Sequence, residues 1–124
     1  MKTLVRLGMG LAMAAGLSLA APMMSYHGQL MDAACYNQNA HQSAQKIWVQ
    51  CAPTDATTLF AIHTNGKVRM LDSTGNTKAE TAYKNGILKR DPNGDMPVVV
   101  DGRRQGNTIT VEGIRARGSE TSVH

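Results

Sequence analysis

The stretch that most constrains this chain is Thr57–Asp72, TTLFAIHTNGKVRMLD, where two short runs rich in β-branched and other apolar residues flank Asn65-Gly66. Asn-Gly between such runs is the strongest short-range signal for a β-hairpin, because both residues tolerate the positive φ of a tight turn. Two registers compete. A two-residue turn pairs Thr64 with Lys67 and puts Phe60, Ile62, Lys67, Arg69 and Leu71 on one face, mixing charge with bulk. A three-residue turn, Thr64 to Gly66 with Gly66 as a left-handed bulge residue, aligns Phe60, Ile62, Val68 and Met70 instead. It leaves Leu59, Ala61, His63, Lys67, Arg69 and Leu71 on a half-exposed face. Register follows the buried face, so the three-residue turn is the expectation.

The N-terminus reads as an export signal. Lys2 and Arg6 precede the uncharged run Leu7–Leu19, and Ser18 and Ala20 supply the small residues of a cleavage site. The expected divisions are a signal over residues 1–20, a domain over 21–116 and a flexible polar tail over 117–124. Fifteen residues separate Arg6 from Pro22, short of the roughly 20 that span a bilayer. Stable membrane insertion of the mature chain is therefore not expected, and the localisation expected is periplasmic or secreted. Removing Lys2 and Arg6 from 13 basic residues leaves 11 against 9 acidic ones. That near balance argues against a nucleic-acid protein, despite the high pI of the whole chain.

The remaining elements follow in order. Ser25–Tyr36 reads as a strand, with Gly28 marking a bend of the kind found where one strand serves two sides of a small barrel. Asn37–Thr57 is a polar insertion; Asn39 and Gln42 resemble a capping box for a helical turn or two across Asn39–Lys46. Thr77–Leu88 has helical spacing at Ala79, Ala82 and Tyr83, with Thr74 or Asn76 as cap and Gly86 as the stop. Met96–Asp101 and Asn107–Ala116 read as strands, and Gly113 shifts the phase so that Ile114 still faces inward.

Five strands with a short helix between the third and fourth make a mainly β, OB-like barrel, a partly open Greek-key plan. GQLMDAAC (Gly28–Cys35), the FAIHTNGKVRMLD hairpin and VVVDGRRQGNTITVEGI (Val98–Ile114) resemble small exported bacterial OB-fold domains, mostly of uncharacterised function. The turn-rich segment Lys89–Pro97 departs from that pattern. The resemblance implies an exported binding or interaction module whose partner is a protein or small ligand of the cell envelope.

Cys35 and Cys51 are the only cysteines. In an exported chain an even pair reads as a disulfide, here stapling the insertion to the first strand. The competing reading is a zinc or copper site from Cys35, His41 and Cys51, with His27 or Asp32 as a further ligand. Met23, Met24, His27 and Met31 invite a Cu(I) reading, since thioethers suit that ion. No Gly-x-Ser-x-Gly, phosphate-cradling glycine loop or His-Glu-x-x-His occurs. Asp32, Asp72 and Asp101 fall near strand ends, where turn roles explain them. The expectation is a non-enzymatic protein with no cofactor. Lys67, Arg69 and His63 are expected on the outer or rim side, as a solvated basic edge.

Overall fold

The computed structural model of the chain describes residues 21–40, 46–118 and 122–124. The expected signal over residues 1–20 lies outside them. Strand β1 (Met24–Asp32) is followed by helix α1 (Ala33–Asn39), a single turn α2 (Ile47–Gln50), strands β2 (Phe60–Thr64) and β3 (Lys67–Leu71), and helix α3 (Ser73–Lys84). Strands β4 (Pro97–Gln105), β5 (Thr108–Ala116) and β6 (Ser122–Val123) complete the order. The sheet runs β3-β2-β1-β4-β5-β6, and a parallel pairing of β3 with β5 through Met70–Thr108 and Leu71–Ile109 closes the first five strands into a ring. This is the OB-like plan expected from the order of elements.

Closure depends on β1 serving both sides. Residues Met24–Gln29 pair with β4, and Gln29–Asp32 pair with β2. The switch falls beside Gly28, which lies close against the His63 carbonyl of β2. Inside the ring, Leu30, Phe60, Ile62, Val98, Val100, Ile109, Val111 and Ile114 form the apolar filling. Helix α3 seals one end with Ala79 and Ala82, and the Asp72 carboxylate accepts from Gly75 N at 2.8 Å and from Val111 N at 3.2 Å. The helix thus begins at Ser73 rather than Thr77, because Asp72 is a better-placed cap than Thr74 or Asn76. Asn76 instead accepts from Phe60 N. Gly86 N donates to the Tyr83 carbonyl and Ile87 N to that of Ala82, the Schellman pattern expected of a glycine stop.

Two expectations are corrected by local chemistry. Strand β1 ends at Asp32, not Tyr36, because the Asp32 carboxylate caps α1 by accepting from Cys35 N at 2.9 Å. A helix therefore covers Ala33–Asn39; the turn or two expected across Asn39–Lys46 falls mostly on residues 41–45, outside the described residues. In the region expected as tail, Ser122–Val123 pair with Ile114 and Arg115 as β6.

The hairpin register is corrected as well. Thr64 pairs with Lys67, His63 with Val68, Ile62 with Arg69 and Ala61 with Met70, so the turn has two residues. Asn65 (φ 52°) and Gly66 (φ 76°) are both left-handed, as the tight hairpin turn requires. Phe60, Ile62, Thr64, Lys67, Arg69 and Leu71 therefore share the inner face. The choice of a three-residue turn assumed that the inner face is apolar along its whole length. Along β3 the inner positions pass from the buried Leu71 to the half-buried Arg69 and the exposed Lys67, so charge is accommodated toward the turn. Replacing Gly66 with Val should lower stability by roughly 1–3 kcal/mol, since a β-branched residue is strained at positive φ. Lys67→Ala is the control, and equal, small shifts in urea midpoint for both variants would contradict the turn.

Candidate functional site

Between β1 and β2 the described residues 33–40 and 46–59 lie over the outside of the hairpin and make one wall of a groove. Asp32 anchors it. Its Oδ1 caps α1, its Oδ2 accepts from the Thr57 hydroxyl at 2.6 Å, and its backbone N donates to the Cys51 carbonyl at 2.7 Å. Ala33 N donates to the Leu59 carbonyl, closing the base of the segment. A disulfide joins Cys35 to Cys51, tying α1 to the end of α2. Beneath, Met31 and Ala61 face outward from the ring yet are fully buried, as are Cys51 and Pro53. This is a second small apolar layer outside the barrel.

Trp48 fixes the upper part of the wall. Its ring lies 4.5 Å from that of His63 on β2, and its indole N–H donates to Asp95 Oδ1 at 2.8 Å. Asp91 holds the Asp95 side in place by accepting from the Asn93 and Asp95 amides. The otherwise polar segment is thus secured by one aromatic contact, one indole hydrogen bond and one covalent link.

Between this wall and β3 runs a groove of about 540 Å³. Tyr36, Asn39 and Ile47 form the insertion side, His63 and Val68 the floor, and Lys67, Arg69 and Asn107 the far rim. Its chemistry is mixed: a phenol ring and the aliphatic side chains of Ile47 and Val68 share it with two cations and two amides. Arg69 is held in place, its Nη1 donating to Asn107 Oδ1 at 3.1 Å. A mainly polar groove with a phenol and a few aliphatic side chains offers a small or extended ligand hydrogen bonds and charge beside limited apolar contact.

Burial pushes the His63 imidazole below its ordinary value of 6.5, opposed by a hydrogen bond to its own backbone. The folded state therefore favours the neutral ring, and the unfolded chain takes up a proton first as the pH falls. Stability from this group is complete above about 6.5 and is lost as the pH falls through that value toward the lower folded one. Urea unfolding at about pH 7.5 and about pH 5, followed by Trp48 fluorescence, should show a loss on acidification that His63→Gln reduces. An unchanged pH dependence in His63→Gln would contradict the assignment.

Among the described residues, those singled out for metal binding do not come together as such. The two cysteines are bonded to each other and offer no thiolate, and His41 lies outside the described residues. Met31 is buried, Met23 and Met24 are exposed, and His27 is exposed on β1. Among the described residues no three His, Cys, Asp or Glu gather as a metal-binding group. Asp32 and Asp72 cap helices, and Asp101 accepts from the Ser25 hydroxyl. The groove itself was not foreseen; its signal was the rejected hairpin face that mixed Lys67 and Arg69 with Phe60 and Leu71. Compared with protein-family models, with curated proteins and with solved structures, the chain matches none.

Proposed function

We propose that this chain is an exported, non-enzymatic binding module whose ligand, a protein segment or small molecule of the cell envelope, seats in the groove between the disulfide-stapled insertion and β3. The observation that carries this reading is position. The groove lies on the β2–β3 side of the ring and is bordered by the β1–β2 segment (Tyr36, Asn39, Ile47) and by Asn107 in the β4–β5 turn. OB-folds bind oligosaccharides and oligonucleotides at this place, so the support is analogy of fold joined to local chemistry. The disulfide agrees with an oxidising compartment, and among the described residues no helix is long and apolar enough to cross a membrane. The resemblance to small exported OB-fold domains belongs to the same proposal.

The groove favours a short polar or glycan-like ligand over a nucleic-acid strand. Strand-binding surfaces interleave cations with several stacking aromatics. Here Tyr36 is the one aromatic side chain in the groove besides His63. The test offers size-fractionated cell-envelope extract to isotopically labelled protein and follows the backbone amides. A fraction that shifts Tyr36, Asn39, Ile47 and Asn107 saturably, and no longer does so with Ile47→Arg, supports the reading. Chemical conversion of the bound component would make the protein an enzyme, and metal retained with free thiols in native mass analysis would favour the metal-handling alternative. Either contradicts the proposal.

A further inference from the structure

The open end of the ring, opposite α3, carries a second site. We propose that it is a phosphate-binding pocket, formed by inward-facing residues near the upper ends of four strands and separate from the groove except at Lys67 and Arg69. Tyr26 of β1, Thr64 of β2, Lys67 and Arg69 of β3 and Arg104 of β4 fall on the inner parity of their strands, in line with Leu30, Ile62, Leu71 and Val100 below. With Asn65 and the exposed Met24 they line a pocket of about 320 Å³, near the lower end of small-molecule sites.

Three features point to an anion. First, Lys67, Arg69 and Arg104 converge there, yet among the described residues none of them has a carboxylate within ion-pair distance; Lys84–Glu80 is the ion pair found among those residues. Second, the two guanidiniums are positioned by neutral groups. Arg104 Nη1 donates to the Gly106 carbonyl at 3.0 Å, and Arg69 Nη1 to Asn107 Oδ1 at 3.1 Å. Such anchoring orients the donors without cancelling their charge, which leaves the forked edges for an oxyanion. Third, Tyr26 is 9 % exposed, and its hydroxyl donates to the Met24 sulfur at 3.8 Å. A thioether is a weak acceptor, so a nine-tenths buried phenol lining the pocket has a better use for its proton if an oxyanion enters. Packing alone would be served by apolar side chains at these inner positions. Mutual repulsion of three cations around one pocket is relieved by a multiply charged group, which selects phosphate over a single carboxylate.

Arg104 and Tyr26 line the mouth and take no part in the groove, whereas Ile47 and Tyr36 line the groove and take no part in the mouth. The two sites can therefore fail separately. Labelled protein is titrated with inorganic phosphate at low salt, with chloride at matched ionic strength as the control. Saturable shifts at the Thr64, Arg104 and Gly106 amides are expected, and Arg104→Gln should weaken binding by about tenfold or more, as loss of a charged hydrogen bond does. Tyr26→Phe should weaken it less, and Ile47→Arg should leave it unchanged. Arg104 is exposed, so its replacement tests binding in a folded chain. A second arm offers phosphatidylglycerol vesicles with and without Arg104→Gln. Binding abolished by that change assigns the phosphate to a lipid headgroup; binding of inorganic phosphate alone assigns it to a soluble ligand. Linear shifts, equal shifts with chloride, or phosphate binding indifferent to Arg104→Gln would overturn the pocket.

Discussion

Replacing Gly28 with alanine is expected to destabilise the domain by about 3 kcal/mol or more, the upper end of what overpacking costs. The reason is contact with backbone rather than with a side chain that could turn aside. A β-carbon at Gly28 would lie 2.0 Å from the His63 carbonyl oxygen and 2.9 Å from its carbon. To make room, β1 and β2 would have to separate where β1 passes from β4 to β2. Thr64, whose hydroxyl donates to the His27 carbonyl at 2.7 Å, would lose its partner in the same movement. Gly106 is the useful contrast, since a β-carbon there meets nothing within 4 Å; Gly106→Ala carries only the strain of a positive φ. Urea midpoints of the two variants should differ widely. Similar, small losses for both would mean that the strands do not approach as described.

Removing the Cys35–Cys51 link is expected to cost about 2–4 kcal/mol, the entropy of closing a loop of this length in the unfolded chain. The double change Cys35→Ser, Cys51→Ser avoids a single reactive thiol. The ring should survive it, because its core is built from strands and α3 and does not include the disulfide. The wall of the groove should not. With the link gone, α2 depends on the Trp48–His63 contact and the Trp48–Asp95 hydrogen bond. Far-ultraviolet spectra should therefore stay close to those of the parent, while protease cuts within residues 37–50 become faster. Oxidised parent, reduced parent and double variant unfolding at one urea concentration, with the same first cuts, would show that the disulfide is no staple.

How much of this was legible in the sequence depends on what kind of signal each part carries. Asn65-Gly66 announces its hairpin locally, and an even cysteine pair behind an export signal favours a disulfide over the competing metal site, so both were readable. The phase shift at Gly113 was also readable, because Ile109, Val111 and Ile114 keep their apolar character across it; the strands slip register there, between Asp101 and Gly102 of β4. The caps at Asp32 and Asp72 were harder. An aspartate at a strand end looks alike whether it ends a turn or starts a helix, and only the amides of Cys35 and Gly75 distinguish the two. The hairpin register failed for a more instructive reason. Charge on a buried face was counted as an error, when in a ring with one open end it marks the position where the apolar filling stops. Both candidate sites contain Lys67 and Arg69, so misplacing those two residues hid both.

The groove and the phosphate pocket therefore rest on one structural claim: the β2–β3 turn has two residues, and Lys67 and Arg69 face the inner, open end of the ring. Cross-strand proton contacts in labelled protein test it directly. The account predicts close approaches of His63 to Val68 and of Ala61 to Met70 across the hairpin, together with Met70 to Thr108 where β3 meets β5. Contacts of His63 with Lys67 and of Ile62 with Val68 in their place, without any between β3 and β5, would put the cations on the outside and contradict it.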